Sequence, residues 1–189
     1  ASPSVTQSIF ASLKHSPLVL PLVGLILVSA VMAVASDNFF SVANIVNVLR
    51  QQSIIGILAI GMTFVILTGG IDLSVGAVMA LCGTLGAGIM VNMGMPGVVG
   101  LLAIIVVGIL FGMFNGALVA WGQMPAIIVT LATMLIARGL GLVYSGGYPI
   151  SGMPSWISWF GVGRVVGVPV PIIIMVVLYA LAWVLLHRT

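Results

Sequence analysis

Long apolar runs alternate with short clusters of glycine, proline and polar residues along most of the chain. Runs of this length are typical of helices that cross a lipid bilayer, which need about 20 apolar residues. The runs cover residues 17–35, 54–67, 73–92, 97–121, 126–144 and 170–186. The pattern predicts an all-α, polytopic membrane protein with about six transmembrane helices between residues 17 and 186.

Two segments outside these runs have the pattern of short helices at the membrane surface. Residues 41–52 place apolar positions at helical spacing beside polar ones, which indicates an amphipathic lead-in to the next run. Trp156, Trp159 and Phe160 are spaced to share one face of a short helix. Aromatic side chains of this kind favour the headgroup region, so short interfacial helices are predicted in addition to the spans.

Basic residues next to the first and last runs predict the orientation of the chain. Lys14 precedes the first run and Arg188 follows the last one, and positive residues are enriched on the cytoplasmic side. Residues 1–16 and 187–189 are therefore expected in the cytoplasm, with a periplasmic loop at about 145–169. The first run is longer than a signal-peptide core of about 7 to 15 residues, so it is expected to be retained within a single membrane-embedded domain, residues 1–189.

The composition excludes several other classes of protein. Hydrophobic residues make up 62% of the 189 residues and charged ones 4%, and the mean hydropathy of +1.40 excludes a water-soluble domain. Five scattered basic residues cannot form a nucleic-acid-binding patch. The chain has no paired carboxylates, phosphate-binding loop or Cys-His cluster, so we expect no enzyme, no metal site and no cofactor in it. Its one cysteine, Cys82, is expected to be a small buried apolar residue.

Asp72 is one of two acidic residues, and it lies between two apolar runs. An ionisable group at membrane depth costs roughly 2.5 to 3.5 kcal/mol or more, so it is a candidate functional residue. Gly69 and Gly70 favour ending the preceding helix, and Asp72 or Ser74 is placed to cap the next one. Membrane proteins tolerate such breaks beside protein-lined or water-lined cavities, often at translocation sites. Capping and a pathway role both remain open for Asp72, and they are compatible.

Arg138 interrupts the fifth apolar run in its outer half. Its head group can extend to the outer surface, bridge helix-end carbonyls or Asp72, or line a polar route, and these alternatives remain open. The candidates for a substrate pathway are therefore Gly69, Gly70, Asp72, Ser74 and Arg138.

Small residues form two stripes of the kind that mediates helix packing in membranes. Asn115 lies beside the first stripe and is expected to form a hydrogen bond with a neighbouring helix. The first stripe is Gly108, Gly112 and Gly116, and the second is Thr130, Thr133, Ala137 and Gly141.

Residues 59–76, AIGMTFVILTGGIDLSVG, resemble the signature of ribose-type ABC sugar permeases. Residues 130–134, 137–139, 145–150, 159–161 and 186–189 are similar to the same family in the same order. The resemblance extends over nearly the whole chain from about Asn38 onward. It implies the permease subunit of an ATP-driven importer for a monosaccharide such as ribose, which works by alternating access in the bacterial inner membrane.

The resemblance also implies partners for this chain. They are a second permease copy in a homodimer or heterodimer, a cytoplasmic ABC ATPase that holds ATP and Mg, a periplasmic sugar-binding protein and membrane lipid. Family members are longer, so the chain is expected to correspond to the N-terminal half. Two alternatives are an ion-coupled secondary transporter that uses Asp72 and Arg138, and a truncated, non-transporting membrane component.

Overall fold

The computed structural model describes residues 18–188, which form seven α-helices and one β-hairpin. The two-residue strands β1 and β2 lie between the last two helices. In chain order, the elements are α1 (Val19–Ala35), α2 (Val42–Leu67), α3 (Val75–Val91), α4 (Gly97–Ala120), α5 (Ala126–Ser145), α6 (Ser155–Val162), β1 (Arg164–Val165), β2 (Val168–Pro169) and α7 (Val170–Arg188).

The prediction of a polytopic α-helical membrane protein is confirmed. Four of the described helices, α2, α4, α5 and α7, are long and apolar enough to cross a membrane. Helices α1 and α3 are also apolar but have 17 residues each, slightly fewer than the roughly 20 residues of a full span. Each of the six predicted runs therefore corresponds to one apolar helix. The predicted flank at residues 1–16 lies outside the described residues, as does Thr189.

The predicted lead-in at residues 41–52 is the first part of α2 rather than a separate short helix. Helix α2 continues for 26 residues from Val42 to Leu67. Residues 42–55 contain no glycine or proline that would end a helix. The Ser53 hydroxyl donates to the Arg50 carbonyl at 2.6 Å, a bond between neighbouring turns that is compatible with an unbroken helix.

The described chain divides into two compact units between Leu49 and Arg50. In the first unit, the turn that precedes α2 is held by side-chain hydrogen bonds. The Asn44 amide donates to the Phe39 carbonyl at 2.8 Å, and the Ser41 hydroxyl accepts from the Asn44 backbone N–H at 3.2 Å. These bonds fix the start of α2. The single membrane-embedded domain stays a prediction.

Helix α3 lies at the centre of the second unit, where it packs against α4 and α5. Two glycines bring α3 and α4 close together. A Cβ atom on Gly86 would lie 2.5 Å from the Ile104 side chain, and one on Gly100 would lie 3.0 Å from the Gly86 carbonyl oxygen. A Cβ atom on Gly88 would overlap the ring of Tyr144 in α5. The absence of side chains at these positions allows the three helices to pack closely.

The segment between α5 and α7 contains the predicted aromatic helix and an unpredicted hairpin. Helix α6 includes Trp156, Trp159 and Phe160, which confirms the helix. Strands β1 and β2 pair antiparallel through a turn at Val166 and Gly167, whose φ angles are 50° and 83°. Such turns usually contain Asn-Gly or Asp-Gly, so Val166 gives no sequence signal for this hairpin.

Candidate functional site

The break between α2 and α3 begins with a glycine in the left-handed region. Gly69 has a φ of +79°. Its N–H donates to the Ile66 carbonyl at 2.9 Å, and the Gly70 N–H donates to the Val65 carbonyl at 3.1 Å. These two bonds form a Schellman motif, which satisfies carbonyl groups at the end of a helix. The predicted end of the helix at these glycines is confirmed.

Gly69→Ala is expected to lower the free energy of unfolding by about 1 kcal/mol because a side chain disfavours the left-handed conformation. Gly70→Ala is the matched control, since a Cβ atom there would lie 3.4 Å from the Val65 side chain and Gly70 has no positive φ. Thermal unfolding of the purified protein in detergent measures both changes. Equal losses in the two variants would contradict the conformational argument.

Three polar side chains form a hydrogen-bonded chain after this break. Asp72 Oδ1 accepts from the Ser74 backbone N–H at 2.7 Å and from the Ser74 hydroxyl at 2.6 Å. The Asn115 amide of α4 donates to Ser74 Oγ at 3.0 Å. Ser74 is 1% exposed and Asn115 is 6% exposed. The predicted hydrogen bond from Asn115 to a neighbouring helix is confirmed, and its partner stands at the start of α3.

Capping of α3 differs from the prediction. Ser74 occupies the N-cap position, but its side chain makes no capping bond to α3. Its hydroxyl instead donates to Asp72 and accepts from Asn115. Asp72 accepts the N–H of Ser74 itself, one residue before the helix begins. The carboxylate therefore fixes Ser74 in place instead of accepting from the first turn of the helix.

The direction of these bonds leaves one buried acceptor without a partner. Ser74 Oγ uses its proton on Asp72, so it accepts from Asn115, and the donor must be the amide nitrogen of Asn115. Asn115 Oδ1 then has no hydrogen-bond partner among the described residues. An unsatisfied buried polar group costs about 1–3 kcal/mol, so this oxygen needs a physical explanation.

The three side chains stand at a cavity between α3 and α4 with a volume of about 490 Å³. Gly108 and Gly112 also line it, and the remaining wall is apolar, with Val78, Ile104 and Phe111 among its residues. The site thus combines a few acceptor groups with an otherwise apolar surface, an arrangement that is typical of small-molecule sites.

Arg138 lies at a different cavity, of about 460 Å³, between α3 and α5. Thr84 and Ser145 supply hydroxyl groups to the same cavity. Within the described part of the chain, no ion pair joins Arg138 to Asp72, so the bridge considered from the sequence is not formed. Of the five predicted pathway residues, the structure brings Asp72 and Ser74 into contact, with Gly69 and Gly70 just before them, and places Arg138 elsewhere. A pathway role for each of them stays a prediction.

Thr130 is a further contact of the break that the sequence did not indicate. It is 3% exposed, and its hydroxyl lies 3.3 Å from the Ile71 carbonyl and 2.8 Å from the Ala126 carbonyl. The second predicted stripe is confirmed as a packing face, because Thr133 and Ala137 are also buried and Gly141 approaches Leu81 of α3. In the sequence, Thr130 is visible only as a hydroxyl-bearing residue within an apolar helix. Nothing in the sequence identified the Ile71 carbonyl as its partner.

The first glycine stripe is less closely packed than the second within the described part of this chain. A Cβ atom on Gly108 would lie 3.8 Å from Cys82 Sγ, and one on Gly112 or Gly116 would have no neighbour within 4 Å. Close packing along this stripe stays a prediction.

Residues 44–189 match the family model described as "Branched-chain amino acid transport system / permease component". The chain belongs to this permease family. It is a multi-pass α-helical membrane protein of that family, and its described part contains six apolar helices, α1 to α5 and α7. Asp72, Ser74, Asn115 and Arg138 all lie within the matched residues of the permease.

Curated relatives of this permease include proteins named for ribose import, which confirms the resemblance drawn from residues 59–76. The ribose import permease protein of Bacillus subtilis (strain 168) is 46% identical over 174 residues, which cover 89% of this chain and 53% of the relative. That of Escherichia coli (strain K12) is 41% identical over 172 residues, with the same coverage of both chains. The galactofuranose transporter permease protein of Escherichia coli (strain K12) is 37% identical over 177 residues, which cover 89% of this chain and 51% of the relative.

The permease chain spans about half the length of the curated relatives it matches. No solved structure matches it.

Proposed function

We propose that this chain is part of the permease subunit of an ATP-driven bacterial importer for a monosaccharide such as ribose. The observation that carries the proposal is the 41–46% identity, over 88–89% of the chain, to proteins named ribose import permease. The acceptor groups of Asp72 and Asn115 beside an otherwise apolar cavity support it, because a sugar presents hydroxyl donors and C–H surface together.

The description of the family mentions amino acid transport, and the cavity chemistry favours a sugar over an amino acid. An α-amino acid carries a carboxylate, which needs a cationic or strong donor partner in a buried site. The residues that line the α3–α4 cavity include no lysine or arginine. A neutral solute with several hydroxyl groups has no such requirement.

The proposal includes partner proteins that hydrolyse ATP and deliver the solute. The chain itself would have no nucleotide site; ATP and Mg would bind to a cytoplasmic ABC ATPase, and a periplasmic sugar-binding protein would deliver the solute. A second permease copy would complete the membrane-embedded part, with lipid around it. The subunit would lie in the inner membrane with its N-terminus in the cytoplasm.

Uptake of labelled D-ribose by cells that express the assembled importer tests the energy source. We expect uptake to persist when a protonophore collapses the membrane potential at maintained ATP, and to stop when ATP is depleted. Excess unlabelled monosaccharide should compete, whereas L-leucine should not. Co-purification of an ATPase with the permease is the accompanying assembly measurement.

The opposite results identify the competing functions. Loss of uptake when the membrane potential is collapsed at constant ATP would favour an ion-coupled secondary transporter. Competition by L-leucine and not by unlabelled monosaccharide would indicate that the transported solute is an amino acid rather than a sugar. Absence of an ATPase from every preparation, together with no uptake, would favour a non-transporting membrane component.

A further inference from the structure

The unexplained group in the α3–α4 cavity is the carbonyl oxygen of the Asn115 side chain. Asn115 is 6% exposed and lines the cavity, and its Oδ1 has no partner among the described residues. The amide nitrogen is already committed to Ser74. Buried polar groups in native proteins are nearly always hydrogen-bonded, so a donor that enters this cavity would meet an acceptor that nothing in the described chain satisfies.

Asp72 offers a second acceptor at the same end of the cavity. Both hydrogen bonds from Ser74 go to Oδ1, which leaves Oδ2 with no protein donor in the described part of the chain. A carboxylate oxygen and an amide oxygen both accept and cannot donate. A ligand that satisfies both must bring hydroxyl or amino protons.

The lining of the cavity suits a ligand with an apolar surface as well as donors. Gly108 and Gly112 precede Asn115 by seven and three residues, so they share its helix face and leave room next to it. Phe111 places an aromatic ring in the same wall. Sugar rings combine hydroxyl groups with C–H surface that packs against aromatic rings.

We propose that the α3–α4 cavity binds a neutral, hydroxyl-bearing solute through Asn115 Oδ1, with Asp72, held by Ser74, as the second acceptor. This inference rests on the proposed function and adds Asn115 as a specificity-determining residue for the solute. Asn115 accepts a hydrogen bond from one solute hydroxyl, and Ser74 acts as a positioning residue that joins the two acceptors.

Protection of an introduced thiol tests the site directly. Gly112→Cys is made with Cys82→Ala, which removes the one native cysteine of the chain, and the assembled importer is reconstituted in proteoliposomes. A Cβ atom on Gly112 would meet no atom within 4 Å, so the new side chain fits. A water-soluble methanethiosulfonate reagent modifies the thiol, and the rate is measured over a range of D-ribose concentrations. Gly116→Cys is the matched control, because Gly116 is equally open but does not line the cavity.

We expect D-ribose to slow the modification of Gly112→Cys and not that of Gly116→Cys. The same measurement is made with the 2-deoxy, 3-deoxy and 5-deoxy analogues of D-ribose. At least one analogue should need a concentration about ten-fold or more above that of D-ribose for half-maximal protection. The reason is that a site that hydrogen-bonds a hydroxyl rejects the analogue that lacks this hydroxyl. In Asn115→Leu, which has similar volume but no acceptor, D-ribose and that analogue should protect equally.

Two results would overturn the inference. One is the absence of protection at Gly112→Cys, a test that keeps Asn115 intact and so does not depend on how well Asn115→Leu folds. The other is an unchanged preference for D-ribose over every deoxy analogue in Asn115→Leu.

Labelled uptake in the same proteoliposomes separates this inference from the proposed function. Uptake of D-ribose without protection would reject the α3–α4 site while leaving the importer function in place. Absence of uptake for D-ribose and the other monosaccharides would reject the importer function, and the inference with it.

Discussion

Asp72→Asn should reduce monosaccharide uptake by about ten-fold or more while the importer still assembles. The substitution keeps an oxygen that can accept from Ser74 but removes the negative charge. Hydrogen bonds to charged groups contribute about 1.5–3 kcal/mol compared with about 0.5–1.5 kcal/mol for neutral ones, and about 1.4 kcal/mol corresponds to a factor of ten. The loss should affect uptake because the carboxylate lines the α3–α4 cavity as well as holding Ser74.

Asp72→Ala should have a larger effect on stability than Asp72→Asn. It removes the acceptor for both the backbone N–H and the hydroxyl of Ser74, a residue that is 1% exposed. A buried donor left without an acceptor costs about 1–3 kcal/mol. Comparing the thermal unfolding of the two variants in detergent separates the structural contribution of Asp72 from its contribution to uptake.

Asp37→Asn is the matched control for the change of charge. Asp37 is the other acidic residue of the chain; its side chain is exposed, and it is not among the residues that line the α3–α4 cavity. Its substitution should leave uptake unchanged. Uptake at the wild-type level in assembled Asp72→Asn would show that Asp72 is only a structural group that fixes the start of α3.

The apolar runs predicted the helices because length and composition determine which segments can span a membrane. The ends were also predictable where local chemistry decides them, as at Gly69 and Gly70, whose bonds to Ile66 and Val65 lie within a few residues. Local patterns could not predict the hairpin at Val166, since its left-handed φ of 50° is uncommon for a β-branched residue.

The candidate site was predictable only in part because its hydrogen bonds connect distant residues. Asp72 and Ser74 lie two residues apart; the unusual charge identified Asp72, and the possible role of a helix cap identified Ser74. Asn115 joins them from 41 residues away, and Thr130 reaches Ile71 from 59 residues away. A polar residue in an apolar helix indicates that some partner exists, but only the packing of α3, α4 and α5 shows which one it is.

The glycines of α4 illustrate the same limit. The four-residue spacing of Gly108, Gly112 and Gly116 predicted a packing face, whereas the close approach of α3 and α4 occurs at Gly86 and Gly100. A spacing rule finds faces that permit close packing. It does not indicate which face the neighbouring helix of the same chain uses.

Gly100→Leu should therefore destabilise the fold, and Gly116→Leu should not. The side chain at position 100 would collide with Met90, and its Cβ would lie 3.0 Å from the Gly86 carbonyl oxygen. Backbone atoms cannot move aside as a flexible side chain can, so the helices must separate, and overpacking of this kind typically costs about 1–3 kcal/mol. Leucine is a good helix former, so the loss would not come from weakened helix propensity. Thermal unfolding in detergent should show a lower midpoint for Gly100→Leu only.

The pair of variants also compares an open position on α4 with a close contact on the same helix. A Cβ atom on Gly116 would meet nothing within 4 Å, so the isolated subunit should tolerate leucine there. A lower unfolding midpoint for Gly116→Leu than for Gly100→Leu would contradict the assignment of the α3–α4 crossing to Gly86 and Gly100, because the tighter contact must be the more sensitive one.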